Sequence, residues 1–479
     1  MGEWPVGSPP GALTSPPPQS GFWQTIREAI RGSHHDYTSG PIGRAIILLA
    51  VPMVLEMMME SLFAVWDVFW GAHLGPSAVA TVNLTESMLT VVYTGAMGLS
   101  IGVTATVARR IGEKNRAGAA EAAVQGIALG VLISAIVGVL GVLFAPNLLG
   151  LMGAAPDVIA IGQSYTRIML GGNVVILLLF LINAIFRGAG DAAISLRVLT
   201  IANTINIVLC PLLMFGVGPF PRLGVMGAAI GTTIGRGTGL LYQLYRLWRR
   251  DGRIVIHRDQ IRLEPAVMKA LLRLSGSATF QTFVGMASWI GLTLINASFG
   301  TNALAGFTIA IRIILFALLP AWGLANAAAT MVGQSLGAGK PERGEQAVWR
   351  AGFYNLIFLG VAGLAFNVFA NPIAHLFSKD PTVAAIAGDC LRIISYGYPF
   401  YAYAMVLTNS FNGAGDTWTP TWLNLFCFWL WEIPVAWVLA RHFNLGPQGS
   451  AWAVTIAFST LAVASAVLFR RGRWKLKTV

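Results

Sequence analysis

Charge is what this chain is short of. Asp, Glu, Lys and Arg make up 11% of its 479 residues, where soluble globular domains run at about 25%. Five stretches carry none of the four: Ala122 to Pro156, Leu274 to Ile311, Ile313 to Gly339, Ala351 to Ser378 and His442 to Phe469. Each exceeds the roughly 20 apolar residues that cross a bilayer. With 55% hydrophobic residues and a mean hydropathy of +0.67, the composition excludes a soluble globular protein. Cysteine is scarce too. Cys210, Cys390 and Cys427 lie far apart in apolar surroundings without metal-ligand spacing, so no disulfide framework or metal site is expected. No P-loop, GxSxG, HExxH or Cys/His cluster occurs, which leaves no catalytic residue to nominate and no nucleotide to supply energy. An ion gradient remains as the driving force. The triplet His34-His35-Asp36 also lacks helical metal-ligand spacing.

What the chain has in abundance is glycine, 54 residues, and 23 prolines, as suits closely packed and kinked membrane helices. Many of the glycines repeat. Position n aligns with n+225 without gaps over two blocks: Gly75 with Gly300, Gly98-Leu99 with Gly323-Leu324, Gly112 with Gly337, and Arg167 with Arg392. The clearest pair is Phe186-Arg-Gly-Ala-Gly-Asp191 against Phe411-Asn-Gly-Ala-Gly-Asp416. A repeat of this kind in an apolar chain marks a transporter built from two homologous bundles that can rock about a shared cavity.

The hydrophobic pattern predicts twelve spans, at 44–71, 78–108, 121–146, 157–185, 193–215, 226–248, 268–297, 303–333, 346–371, 382–409, 419–440 and 449–469. Six per repeat is even, so both halves enter the membrane in the same sense. With both termini inside, inner segments hold 25 of the 32 Lys and Arg, counting Arg187, and outer loops hold three, Arg222, Lys379 and Arg441. That asymmetry predicts a multi-pass protein of the inner (plasma) membrane with cytoplasmic termini. It also explains the net charge of +12 without nucleic acid. Residues 1–43 read as a cytoplasmic tail, with a short interfacial helix at Phe22 to Ile30 and no signal peptide. A lobe at 44–248, a linker at 249–267, a lobe at 268–469 and a basic tail at 470–479 follow. The expected surroundings are the bilayer and small-molecule substrates, the expected oligomeric state a monomer.

An acid inside a spanning helix costs about 2.5–3.5 kcal/mol on insertion scales, so each needs a reason. Glu56, Glu60 and Asp67 share one stripe of the first helix. They read either as a cation- or proton-linked site facing a cavity or as a packing network. Glu86, Asn206 and Thr232 stand with Asp67 in the outer half of the first lobe. Matching depths pairs Arg236 with Glu60 and Arg312 with Glu432, either to hold each lobe together or to move in transport. At the +225 positions Glu56 becomes Gln281, Glu60 becomes Gly285, Asp67 becomes Leu292 and Glu86 becomes Ile311. The ion site is therefore expected in the first lobe alone, with Pro52, Pro320 and Gly323 as hinges. Aromatics crowd helices 10 and 11, from Tyr396 to Tyr403 and Trp422 to Trp431, as lipid anchors or as a cavity wall.

Twelve spans in a six-plus-six repeat, Gly-Ala-Gly-Asp ending the fourth helix of each half, and Asp67 fifteen residues after Pro52 resemble the multidrug and toxic compound extrusion (MATE) transporters. The likeness covers about residues 44–469. It implies a V of two lobes that exports organic cations against H⁺ or Na⁺ and needs no other cofactor. It further implies that Asp67 takes part in protonation and cation binding, with Asn206 and Thr232 as polar ligands. The family's Asn-x-x-x-Asp-Pro pattern reads Asn206-Ile-Val-Leu-Cys210-Pro211 here, and the Na⁺-coupled branch's seventh-helix glutamate aligns with Gly285. Both departures favour H⁺, with Glu60 or Glu86 in place of the missing acid. A lipid-linked oligosaccharide flippase of the same superfamily is the alternative. It would show a more cationic cavity.

Overall fold

The computed structural model of the chain describes residues 21–32, 35–73, 76–249 and 252–478, without the side chains at 64, 65, 67–69, 71, 72 and 76. Among the described residues there are helices and connecting turns and no strand. Helix α1 (Phe22–Arg31) precedes α2 (Ile42–Ala72), α3 (Pro76–Gly112), α4 (Arg116–Leu151), α5 (Pro156–Gly171), α6 (Asn173–Ala189), α7 (Ala192–Phe215) and α8 (Val225–Trp248). The second half holds α9 (Pro265–Ala297), α10 (Thr301–Gly337), α11 (Pro341–Phe377), α12 (Pro381–Tyr396) and α13 (Tyr398–Gly413). It closes with α14 (Trp418–His442) and α15 (Pro447–Arg470).

Each of the twelve expected spans coincides with helix, and ten of them are long and apolar enough to cross a membrane by length and composition. The other two fall short for local reasons. Helix α8 carries Thr232, Thr233, Arg236, Gln243 and Arg246, and the tenth span carries Asp389, Arg392 and four tyrosines and is divided into α12 and α13 at Gly397. The fourth span breaks at Gly172, its +225 partner, and both spans open with a proline, Pro156 and Pro381. The spans also run past their expected ends; α11, for instance, continues to Phe377 rather than 371. As expected, Phe22 to Arg31 is a helix. It buries Thr25 and Ala29, ties Glu28 to Arg44 at 2.8 Å, and leaves Trp23 exposed.

The repeated glycines mark where the halves touch. A Cβ on Gly98 would stand 2.5 Å from the Thr279 nitrogen, and one on Gly323 would stand 2.6 Å from the Val54 nitrogen. Positions 98 and 323 are repeat partners, and so are 54 and 279, so this is one contact made twice by a pseudo-twofold. Nearer the helix ends, Gly112 packs on the Gln334 carbonyl and Gly337 on the Arg109 carbonyl, again in mirror register. Apolar side chains add little drive for helix association in lipid, where small residues let backbones approach and dispersion hold them. The contacts run from the end where the termini and linker lie up to Thr94, whose hydroxyl is 3.3 Å from the Met286 sulfur. Farther out, Met58, Leu62, Val91 and Leu315 on the same central helices are exposed, and the halves part into a V.

The Gly-Ala-Gly-Asp motif has a physical meaning in each half. Gly188 lies against the Thr104 carbonyl and Gly413 against that of Ala329, positions again 225 apart. Gly190 (φ 87°) and Gly415 (φ 83°) take the left-handed conformation that ends the helix. Asp191 and Asp416 then donate backbone N–H groups to Phe186 and Phe411 at 2.8 and 2.9 Å. Each aspartate side chain receives a basic partner from outside the repeat, Arg253 of the linker at 3.4 Å and Lys477 of the tail at 3.1 Å.

Gly337→Val should force a branched side chain onto the Arg109 carbonyl and cost about 1–3 kcal/mol of stability. Gly360→Val, where no atom stands within 4 Å of the added Cβ, should be near neutral. Thermal unfolding of both variants in detergent checks the contrast; equal melting would refute this account of the crossing.

Candidate functional site

The first half concentrates its buried charge on α2, α3, α6 and α8. Arg236, 3% exposed in α8, donates to Glu60 Oε1 at 3.1 Å and to the Tyr93 hydroxyl of α3 at 3.4 Å. Its guanidinium also lies 4.4 Å over the Phe63 ring. The Glu60–Arg236 pair expected from depth is therefore formed. Glu86 is half-buried on α3 and lies within Coulombic reach of both Arg236 and Glu60. Arg236 pairs directly with Glu60, and Glu86 is a second carboxylate under the same cation's field.

Beside this cluster, Asn206 donates from Nδ2 to the Thr232 hydroxyl at 3.0 Å and joins α7 to α8. The Asn206 Oδ1 is buried with no hydrogen-bond partner. Asn203, one turn earlier, donates to the Met59 carbonyl at 2.7 Å and fixes α7 against α2. Asp67 belongs to α2, and its side chain lies outside the described residues.

Arg187 is the buried charge that the sequence reading placed elsewhere. Counted among the inner-segment arginines, it sits inside α6, 9% exposed, and pairs with Glu56 at 2.5 Å. Glu56 is 1% exposed, so the pair is buried. A signal for this was present. The +225 partner of Glu56 is Gln281 and that of Arg187 is Asn412, so both ions become amides together in the second half. A charge pair lost as a pair points to contact.

The expected pairing of Arg312 with Glu432 does not form. Arg312 is exposed on α10, while Glu432 is 2% exposed on α14 with Oε1 lacking any hydrogen-bond partner. Depth fixes height along the membrane normal but not azimuth, and these two residues share only height. The hinge candidates occupy three settings. Pro52 lies within unbroken α2, Pro320 is buried within unbroken α10, and Gly323 forms the helix crossing described above. The three buried cysteines form no disulfide among the described residues. Among the described residues no group of three His, Cys, Asp or Glu could hold a metal ion.

At the base of the V both halves line a cavity of about 130 Å³. Its walls hold Phe180 and Trp322, the amides of Asn326, Asn409 and Asn412, and Arg187. Tyr93 packs on Phe180 with ring centroids 5.7 Å apart. The Glu60–Arg236 cluster is thus one aromatic pair away from the cavity, and the Glu56–Arg187 pair reaches it directly.

Comparison with known proteins follows this geometry. The family model described as MatE matches residues 52–212 and 277–438. The two matched segments begin 225 residues apart and end 226 apart. The chain is 28% identical over 451 residues to a Thermotoga maritima protein called probable multidrug resistance protein NorM, covering 91% of this chain and 94% of that one. It is 26% identical over 440 residues to a Shewanella oneidensis FAD transporter, covering 91% and 96%. A solved structure titled as the outward-facing conformation of a multidrug resistance MATE family transporter superposes with a TM-score of 0.86, at 24% identity and over 92% and 98% of the two chains.

Glu56→Gln alone should strand Arg187 as an uncompensated buried ion and cost about 3–5 kcal/mol. The double variant Glu56→Gln/Arg187→Asn recreates the second half's amides and should recover most of that loss. A double-mutant cycle by thermal unfolding measures it; strictly additive losses would show that the two side chains do not act as a pair.

Proposed function

The chain belongs to the MatE family, and on that premise we propose that it is a secondary active exporter of organic small molecules, cationic or amphipathic, driven by protons entering in exchange. It is an integral membrane protein with multiple apolar helices and the fold of solved MATE transporters. The proposal adds the cargo, the coupling ion, the inner membrane and cytoplasmic termini. One observation carries the reading: Arg236 is shared by Glu60 and Glu86 beside a cavity bounded by both halves. A single guanidinium can neutralise one carboxylate. The second must bind a proton or a cation to remain in the membrane, so the cluster has a vacancy that H⁺ or a cationic cargo can fill.

Asp67, two turns farther along α2 from Glu60, extends this acidic stripe toward the open arms of the V. Asn206 and Thr232 add polar ligands on the same side of the half. The absence of an acid at Cys210 and Gly285 favours protons over Na⁺. Basic residues cluster at the closed end, which supports placing that end in the cytoplasm. Closure there and divergence at the far end support an outward-open resting form of an alternating-access cycle.

A second reading, an anionic aromatic cargo, is favoured by Arg187. Among the described residues it is the one charged side chain lining the cavity, and a relative bears the name FAD transporter. Competition between an organic cation and a flavin nucleotide for the same reconstituted protein distinguishes the two.

In proteoliposomes, a pH gradient should drive export of a fluorescent organic cation, while a Na⁺ gradient at constant pH should not. Glu60→Gln, Asp67→Asn and Glu86→Gln together should abolish the pH-driven component while folded protein remains in the membrane. Export that follows Na⁺ and ignores pH would overturn the proton reading, and undiminished export by the triple variant would remove this cluster from coupling.

A further inference from the structure

We propose that Glu432 is a second proton-carrying site, built into the half of the molecule that lost every acid of the first-half site. This rests on the proton-coupled reading above and extends it. The carboxyl is 2% exposed on α14, and Oε1 has no hydrogen-bond partner. The helices packed against α14 supply no countercharge. Neither α9 between Leu274 and Ala297, nor α13, nor α15 between Pro447 and Phe469 contains Asp, Glu, Lys or Arg. The titratable groups facing Glu432 are Tyr401 of α13, with Tyr398 beside that tyrosine, and, on its own helix, Cys427. A carboxylate cannot be held there as an isolated ion. It is held as the neutral acid, because burial of an unpaired charge costs far more than taking up a proton.

Two further observations show that this is a built site rather than a stray residue. Tyr398 and Tyr401 are themselves 0% and 1% exposed, their rings are 5.7 Å apart, and both hydroxyls lack hydrogen-bond partners. Three buried polar groups therefore stand unpartnered in one region of the second half, where buried polar atoms normally find partners. The second observation is register. The Asp191 and Asp416 motifs are 225 apart. Farther along, Gly227 packs on the peptide between Leu213 and Met214, and Gly449 packs on that between Leu439 and Ala440, 226 apart. One residue has been added to α14. Residues Leu425–Glu432 wind as a π-helix, the form an inserted residue takes within an α-helix and one frequent at functional sites. Counting it, Glu432 falls at the position that Asn206 holds in the first half. There the buried Asn206 Oδ1 also lacks a partner. The repeat thus places a polar group at one spot in both halves, an amide in the first and an acid in the second.

The step is a plain proton exchange. The acid form loses its proton to water when the arms admit water on one side, and the carboxylate regains one from the other side. No electrons move and no co-reactant is needed. Trp429 ties this segment to α9 by donating to the Val284 carbonyl at 3.0 Å, so movement of α9 at the crossing is transmitted to Glu432.

The test reconstitutes the full chain and counts protons taken up per organic cation exported under a pH gradient. Glu432→Gln keeps the shape and neutrality of the acid, so it should fold and bind cargo as the wild type does yet move fewer protons per cargo, or lose pH-driven export. Wild-type export with a wild-type proton count in Glu432→Gln would overturn the proposal. The Glu60, Asp67 and Glu86 triple variant runs in parallel. If it alone fails to export and Glu432→Gln keeps the wild-type proton count, the first-half reading stands and this one falls; if neither variant changes export or proton count, neither set of carboxylates carries the coupling and both readings fall. Should Glu432→Gln not fold, pH-jump infrared spectra of the wild type and of Glu432→Asp decide. A protonated carboxyl band that shifts in the Asp variant and bleaches on the jump supports the proposal, and its absence overturns it.

Discussion

Everything else in the molecule hangs on backbone touching backbone where α2 and α3 cross α9 and α10. A bilayer gives apolar side chains little reason to leave lipid for one another, so helices there associate through close fit and dispersion. Gly98 with Thr279 and Gly323 with Val54 bring main chains together where no Cβ would fit. Because each contact occurs twice in mirror register, the crossing is a symmetric pivot, and neither half is anchored more firmly than the other. It also confines the cavity. The halves meet from the basic end to Thr94 and Met286, and the cavity lies beside this seam, lined by Ser100, Ile101 and Thr104 between the Gly98 and Gly112 contacts.

Charge treats the two halves very differently from packing. The glycines, the helix breaks at Gly172 and Gly397 and the left-handed caps at Gly190 and Gly415 persist in both copies, because backbone geometry tolerates no substitute at those points. The ion pairs persist in one copy only. Glu56–Arg187 becomes Gln281 and Asn412, and Glu60 becomes Gly285, a residue with open space around it. Buried ion pairs contribute little net stability against well-packed neutral groups, so their retention in a single half is better explained by use than by folding.

The sequence carried most of the fold and less of the site, for definable reasons. Twelve helical segments, the parallel repeat and the Glu60–Arg236 pair were legible because hydropathy reports length and depth. The Arg312–Glu432 pairing failed because depth carries no azimuth. Arg187 was missed because an arginine two residues past an expected helix end reads as a loop residue, when α6 in fact runs to Ala189. The single-residue addition in α14 was hidden behind a repeat that holds 225 throughout the motif preceding it. It becomes visible only where Gly227 and Gly449 meet their partner peptides. Asp67 stays where the sequence left it, an acid in a spanning helix with a family resemblance and no described side-chain geometry.

The basic charge that orients the chain also closes it. Arg343 donates to the carbonyls of Tyr37, Ser39 and Gly40 at 2.7–2.9 Å, and Lys340 donates to that of Thr38 at 2.9 Å. Arg253 lies 4.8 Å over the Tyr37 ring and reaches Asp191. From the opposite terminus Lys477 meets Asp416, and Arg109 donates to the Lys477 carbonyl. Two terminal segments thus strap the halves together on the side where the glycine crossing is tightest. Neither strap belongs to the repeat; Lys477 of one pairs with Asp416, while Tyr37 of the other donates to the Gly190 carbonyl beside Arg253, the linker residue that pairs with Asp191. A carbonyl in a turn or at a helix C-terminus accepts a cation readily because its dipole points outward with no intrahelical donor. An inside rich in arginine and lysine therefore satisfies the orientation rule and supplies the donors that hold the inner gate shut. To expose the cavity on that side the protein must release these donors to water as well as part the glycine contacts. That gives the inner gate an electrostatic component, sensitive to ionic strength, which the apolar arms at the other end do not have.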